Sequence, residues 1–338
     1  MKTNIAVNGF GRIGRGFLRS ALNNNDFCNN FNIVAINDIT DIQTLAHLLK
    51  YDSIFGKYSK NIVTEKNNLI IDSHKIKILA ERDPEKLPWK DLNVQIVLES
   101  TGFFTTNEQA SKHIMAGAHR VIISAPSNDP DVTLVLGVNE KEYDSTKHFV
   151  ISMASCTTNC LAPVIKIINN EFGIDKGFLT TTHAYTSDQK LHDTPHKDLR
   201  RARAANVSII PTTTGAAKSI GEVISDVNGK LDGIALRVPV PVGSINDITL
   251  LLNKDVKVEQ INNALKKSAN NELKGILEYT EEPIVSSDVI GNSHSSIVDG
   301  LSTNVIGNQG KLIKIMAWYD NESGFSNRLV DIIQYISK

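Results

Sequence analysis

Cysteine is scarce in this chain: Cys28, Cys156 and Cys160 are the three among 338 residues. An odd number without framework spacing argues against a disulfide scaffold and for a reducing compartment, so a cytoplasmic location is expected. No second Cys/His pair stands at ligand spacing beside Cys156 and Cys160, and no metal is expected. Long apolar runs are also missing. None approaches the ~20 residues a membrane helix needs, and Thr3–Asn8 is too short and too soon broken by glycine for a signal-peptide core, so neither a membrane partner nor a targeting segment is expected. Charge of one sign is lacking too. Lys plus Arg number 36 and Asp plus Glu 37, a net charge of −1, which gives no general pull toward nucleic acid or anionic lipid. So little self-repulsion suits a surface partly buried between subunits.

What remains is an ordinary soluble composition, 41% hydrophobic and 22% charged, on a chain long enough for two domains. The first half alternates strand-like and helix-like stretches. Thr3–Asn8, residues 33–37, 94–99, 120–123 and 133–136 read as short apolar strands, residues 13–22 and 107–116 as helices, and residues 23–32 as a polar loop or helix end. This alternation predicts a doubly wound parallel sheet of the Rossmann type, class α/β. Beyond about Ser152 the texture changes. Residues 161–172 carry Leu161, Val164, Ile165 and Ile168 at helical spacing, with Pro163 near the start expected to bend the helix. Longer strand-like segments follow at 177–186, 231–240, 247–252 and 311–319, predicting a second α+β domain with a mostly antiparallel sheet. Residues 188–208 are basic and fit neither pattern, and residues 326–336 form an amphipathic helix.

Asn8-Gly9-Phe10-Gly11-Arg12-Ile13-Gly14 contains G-x-G-x-x-G between a strand and a helix. Gly9 permits the tight turn, Gly11 lets backbone approach a pyrophosphate, and Gly14 lets helix and strand pack closely. The helix N-terminus then offers unpaired N–H groups to the anion. Asp38, at the end of the second strand, is placed to accept from ribose hydroxyls, and its charge would repel a 2′-phosphate, favouring NAD over NADP.

Cys156, in Ser155-Cys156-Thr157-Thr158-Asn159-Cys160, lies where a strand gives way to a helix. A helix N-terminus and a nearby imidazolium would favour its thiolate. Burial as a small hydrophobe suits Cys28 and Cys160 better. Of the nine histidines, His183 stands in a strand of threonines where an imidazole has no obvious packing role.

Taken together, these segments resemble the phosphorylating glyceraldehyde-3-phosphate dehydrogenases. The likeness runs from Asn8–Arg15 through Ala154–Pro163, Thr182–Thr186, Asp198–Arg203, Ile210–Lys218 and Leu236–Pro239 to Trp318–Glu322. The resemblance implies a homotetramer with one NAD per subunit. It implies a cofactor-binding domain over 1–154, completed by a C-terminal helix over 322–338, and a catalytic domain over 155–321. It places cofactor contacts on Arg12, Ile13, Asp38, Arg82, Ser124 and Asn321, the nucleophile on Cys156 and its base on His183. It assigns glyceraldehyde 3-phosphate and inorganic phosphate to Ser155, Thr157, Thr186, Arg201, Thr214, Gly215 and Arg237. Two anions need two sites, which arginines, hydroxyls and backbone N–H groups can supply.

The sequence departs from the family pattern at Ser323 and Phe325, where tryptophan and tyrosine are usual, and at Val242 and Gly243. Neither change removes a proposed catalytic group. Thr194 lies in a loop that in some relatives helps to choose between NAD and NADP. The expected activity is oxidation of glyceraldehyde 3-phosphate to 1,3-bisphosphoglycerate through a cysteine thioester. A related enzyme acting on erythrose 4-phosphate and an added non-enzymatic binding role are the alternatives. No basic, aromatic-interleaved patch points to nucleic acid.

Overall fold

The structure, a computed structural model, describes residues 2–338. It divides into two compact units: the chain up to Leu134 with Lys141–Ala154 and Ser326–Lys338, and Val135–Glu140 with Ser155–Phe325.

Among the described residues, the first unit is built on a nine-stranded sheet. Its order is Val132–Thr133, Val150–Ser152, Arg120–Ile123, Ile96–Glu99, Thr3–Asn8, Phe31–Asn37, His74–Leu79, Asn68–Ile71, Ile62–Glu65. The first seven strands pair in parallel. Strands of such a sheet are covered on both faces, which is why they read as unbroken apolar runs. Ile5, Ala6, Val7, Val97, Leu98, Val121 and Ile122 are all inaccessible to solvent. The last two strands are antiparallel, an addition the sequence did not announce. Their turns use Lys66 and Asp72 at positive φ in place of glycine.

Two expectations for this unit need correction. Residues 23–32, expected as a polar loop or helix end, begin with the last residue of the helix Arg12–Asn23 and then form a separate helix, Asn25–Asn30. Asn24 caps it by accepting from Phe27 N, and Phe27 stacks on Phe31 and meets Phe17 edge-on. Buried aromatic contact thus outweighs a poor helix-forming composition. Residues 133–136 are not a continuous strand either, since pairing stops at Thr133. In the second unit Val135 N donates to Asn139 Oδ1 and Val138 N to Val135 O, so the apolar run is wound into a turn.

The second unit carries a seven-stranded sheet among the described residues. Its order is Ile210–Thr213, Leu231–Val238, Ile174–Ala184, Ser244–Val256, Gly310–Tyr319, Ser296–Val305, Leu277–Thr280. Four of its six pairings are antiparallel. Leu179, Thr181, Ala235, Ile248, Leu250, Ile313 and Ile315 form its buried face, against which helices Cys156–Phe172, Ala216–Val223 and Val258–Asn270 pack. Phe178, Ile234 and Leu312 emerge on the opposite, exposed face. Residues 188–208 hold no regular element beyond one bridge between Lys190 and Ala204. The departures from the family pattern are accommodated locally: Val242 and Phe325 are buried, and Ser323 N donates to Asp320.

Candidate active site

In the first unit a cavity of about 460 Å³ opens at the C-terminal ends of the parallel strands, lined by Gly9, Gly11, Asp38, Arg82, Thr101 and Phe103 among others. The glycine loop is shaped by backbone contact. Gly9 has φ +91, and a Cβ there would lie 2.7 Å from Thr101 N, while a Cβ on Gly14 would lie 2.3 Å from Gly9 O. At Gly11 a Cβ would meet nothing, and the helix Arg12–Asn23 that follows has no side-chain cap. The space beside Gly11 at the start of that helix leaves room for an anionic pyrophosphate to approach the backbone. Asp38 Oδ2 accepts from Phe10 N at 2.8 Å and Oδ1 from Thr40 N at 2.9 Å. Each oxygen keeps a further lone pair for a ribose hydroxyl.

The remaining predicted cofactor contacts are placed variously. Arg82 lines the cavity. Arg12 forms an ion pair with Asp52 and lies over the Phe55 ring. Ile13 stands in the first turn of the helix, and Ser124 N donates to Glu99 O. Asn321 belongs to the second unit, where its Oδ1 accepts from Gly243 N and Ser244 Oγ.

Within the second unit, strand register builds the reactive centre. Strands Ile174–Ala184 and Leu231–Val238 pair in parallel with His183 opposite Arg237. Helix Cys156–Phe172 packs on this sheet and begins at Cys156, with Ser155 as N-cap accepting from Thr158 N. The Cys156 sulfur lies 3.4 Å from His183 Nε2, and Arg237 Nη1 lies 2.6 Å from His183 Nδ1. Burial pushes the Cys156 thiol up, against the pull of the Arg237 charge and of Thr157. Burial and the same charge push His183 down to about 3. Desolvation disfavours the charged form of each partner, and the Arg237 charge favours the thiolate while opposing the imidazolium. Cys160 is fully buried on the same helix, its thiol pushed up to about 12, while Cys28 is half-exposed.

Of the predicted anion-binding residues, Arg237 sits at this centre. Arg201 is held by Asp188 at 2.9 Å, by Thr212 Oγ1 at 2.9 Å and by Asp198 at 3.7 Å. Thr214 Oγ1 accepts from Ala216 N, and Gly215 opens the helix Ala216–Val223 with no side-chain cap. Thr186 N donates to Gln189 Oε1. Thr157 turns its hydroxyl away to Tyr319, at 2.8 Å.

Sequence reasoning passed over two features. Tyr319 is fully buried, bonds Thr157 and Thr181, and meets the His183 ring edge-on. Beside the cofactor cavity, Glu99 accepts from Asn8 Nδ2 at 2.6 Å, His113 Nε2 at 3.1 Å, Thr101 N at 2.7 Å and Thr101 Oγ1 at 2.5 Å. Trp89 Nε1 donates to His113 Nδ1 at 2.9 Å, which leaves the His113 proton on Nε2. An acid closing the apolar run Ile96–Leu98 was the one available signal.

Comparison with known proteins gives full-length matches. Residues 3–107 match the family model for the glyceraldehyde 3-phosphate dehydrogenase NAD binding domain, and residues 155–321 that for the C-terminal domain. The chain is 55% identical over 337 residues to glyceraldehyde-3-phosphate dehydrogenase of Priestia megaterium, covering 100% of this chain and 99% of the relative. It is 54% identical over 337 residues to that of Geobacillus stearothermophilus, with the same coverage. With glyceraldehyde-3-phosphate dehydrogenase 1 of Bacillus subtilis it shares 53% identity over 338 residues, again covering 100% and 99%.

Proposed function

The chain belongs to the glyceraldehyde-3-phosphate dehydrogenase family, and on that premise we propose that it oxidises glyceraldehyde 3-phosphate to 1,3-bisphosphoglycerate through a thioester on Cys156. The observation that carries this is the contact of the Cys156 sulfur with His183 Nε2 at 3.4 Å, at the start of a helix. Bound NAD supplies the hydride acceptor. The fit of the glycine loop and Asp38 to a dinucleotide supports Gly9, Gly11, Arg12, Ile13, Gly14, Asp38, Arg82, Ser124 and Asn321 as its contacts.

The chain's own residues handle the protons and the acyl group. His183 Nε2 takes the thiol proton as sulfur bonds the aldehyde carbon, and returns it to the carbonyl oxygen to complete the hemithioacetal. The same nitrogen removes that hydroxyl proton as the carbon gives up hydride, leaving the thioester. Inorganic phosphate then attacks the acyl carbon, and the departing sulfur regains its proton from His183. N–H groups at the helix start stabilise the oxyanion. Arg201, Arg237, Thr186 and the uncapped helix at Thr214–Gly215 hold the two phosphates, and Ser155 and Thr157 position the nucleophile.

Residues 155–321 act as the catalytic domain, and 1–154 with 322–338 as the cofactor domain. The protein works as a homotetramer. Phe178, Ile234 and Leu312 on the open sheet face, and Leu191, Leu199, Val207 and Ile209 in the irregular segment, are exposed apolar surface that further copies would cover. The free cysteines suit the cytoplasm, and no helix among the described residues is long and apolar enough to cross a membrane.

Replacing Cys156 with alanine tests the scheme. NAD binding should stay within a few-fold of wild type while phosphate-dependent NADH formation disappears. Full turnover by Cys156→Ala would remove the basis of the proposal.

A further inference from the structure

Residues 188–212 close a ring of contacts around Arg201. Its Nη1 donates to Asp188 Oδ2 at 2.9 Å, and its Nε donates to Thr212 Oγ1 at 2.9 Å. Thr212 Oγ1 passes its own hydrogen to Asp198 Oδ2 at 2.7 Å. His196 joins the two ends, with Nδ1 accepting from Asp198 N at 2.9 Å and Nε2 lying 3.2 Å from Asp188 Oδ1. A backbone N–H only donates, so the proton of the neutral ring sits on Nε2. The opposite tautomer would set a bare Nε2 against a carboxylate oxygen. A protonated ring would turn its second hydrogen to Asp198 O, 3.1 Å from Nδ1, and keep the one on Nε2. His196 therefore donates to Asp188 in either state. Against the push of burial, the bonds from His196 and Arg201 hold the Asp188 carboxyl below its usual range.

We propose that His196 is a positioning residue for the anion site at Arg201. By occupying one oxygen of Asp188, it keeps that carboxylate to a single-oxygen grip and leaves the Nη2 edge of the guanidinium open to a phosphate. This rests on the reading of Arg201 as a phosphate contact. A carboxylate beside a guanidinium favours the two-bond fork, which would engage both Asp188 oxygens. Here the hydrogen bond to Arg201 comes to Oδ2 alone, because Oδ1 is taken by His196. Among the described residues Nη2 has no nearer acceptor than Thr213 O, at 3.5 Å. That contact sets the open edge one residue from Thr214 and Gly215, where helix Ala216–Val223 begins without a side-chain cap.

Without the His196 bond, Asp188 Oδ1 loses its partner, and turning onto Nη2 is the nearest remedy. A phosphate would then have to displace a carboxylate of its own charge sign instead of meeting an open edge. The group recognised is a phosphate, whether free inorganic phosphate or the one carried by the aldehyde. The ring includes neither Cys156 nor His183, so the effect falls on anion binding and spares the chemical step.

Initial rates of NADH formation by the full-length enzyme decide the matter. Inorganic phosphate is varied at saturating glyceraldehyde 3-phosphate, and the aldehyde at saturating phosphate. Arg201→Leu, or Arg201→Lys where the leucine variant is too slow to titrate, identifies the phosphate held there by the KM it raises. His196→Ala should raise that same KM about threefold to tenfold, with kcat and the KM for NAD within about twofold of wild type. His196→Gln, which returns an N–H donor, should recover most of the loss. In an Asp188→Ala background His196→Ala should change nothing, because the carboxylate it restrains is gone. A His196→Ala enzyme with the wild-type KM overturns the inference. So does a defect that persists in the Asp188→Ala background, or a glutamine variant no better than alanine. Should His196→Ala not fold, His196→Phe, which keeps a ring but no donor, takes its place. If the Arg201 variant raises neither KM, the anion-site reading falls and this inference with it. If it raises one and His196→Ala does not, only this inference falls.

Discussion

Replacing Glu99 with glutamine changes one atom in a buried site, and its consequence can be worked from the four donors that converge there. Asn8 Nδ2 and His113 Nε2 point at Oε2, and Thr101 N and Oγ1 at Oε1. Glutamine must put an NH2 group at one end. At the Oε2 end it would oppose two fixed N–H donors, because Trp89 holds the His113 proton on Nε2. At the Oε1 end the Thr101 hydroxyl can rotate to accept, but Thr101 N–H cannot. The better placement therefore strands one buried N–H, a loss of about 1–3 kcal/mol, and weakens the surviving bonds from about 1.5–3 kcal/mol each toward about 1 kcal/mol. A total of roughly 2.5–9 kcal/mol results by simple addition, a large share of the 5–15 kcal/mol typical of a folded domain. Since Asn8 and Thr101 line the cofactor cavity, NAD affinity should fall as well, by about tenfold for each 1.4 kcal/mol of distortion. Urea unfolding of Glu99→Gln in a Trp318→Phe background, followed by Trp89 emission, measures the first effect, and NAD titration the second. A variant within about 0.5 kcal/mol of its parent, with unchanged affinity, would refute the reasoning.

Two further outcomes are expected. Gly14→Ala would set a Cβ 2.3 Å from Gly9 O, whereas Gly11→Ala would meet nothing; thermal unfolding should show Gly14→Ala destabilised by about 1–3 kcal/mol and Gly11→Ala unchanged, while NAD titration shows weaker binding in both. The folded pKa of His183, about 3, lies below its unfolded value, so an unfolded chain binds a proton that the native one refuses, and stability from this group is intact above pH ~6.5 and lost progressively as pH falls toward 3. His183→Asn should remove that slope, improving relative to wild type by about 1.4 kcal/mol per pH unit below 6.5 in denaturant titrations.

Much of the fold was legible where a residue's constraint is local. The glycine loop announces itself because its demands concern its own backbone and the next helix, and buried parallel strands announce themselves by unbroken apolar runs. The helix Asn25–Asn30 was hidden because its support comes from Phe27 meeting Phe17 and Phe31, contacts no composition reveals. The antiparallel strands Ile62–Glu65 and Asn68–Ile71 were hidden by turns without glycine. At the site, Cys156 and His183 could be named from residue type and setting. The bond between His183 and Arg237 could not, since the two stand 54 residues apart and meet through the register of parallel strands. Their mutual electrostatics follow that register, which places the Arg237 charge beside both the thiol and the imidazole.

Arg201 is already answered by Asp188 and more distantly by Asp198. A guanidinium so shared attracts a third anion less strongly than a solitary one, since two carboxylates repel the newcomer. If Arg201 holds a phosphate as proposed, a loosened grip speeds departure of the acyl phosphate, and departure often limits turnover. Those two aspartates would then govern how quickly product is let go.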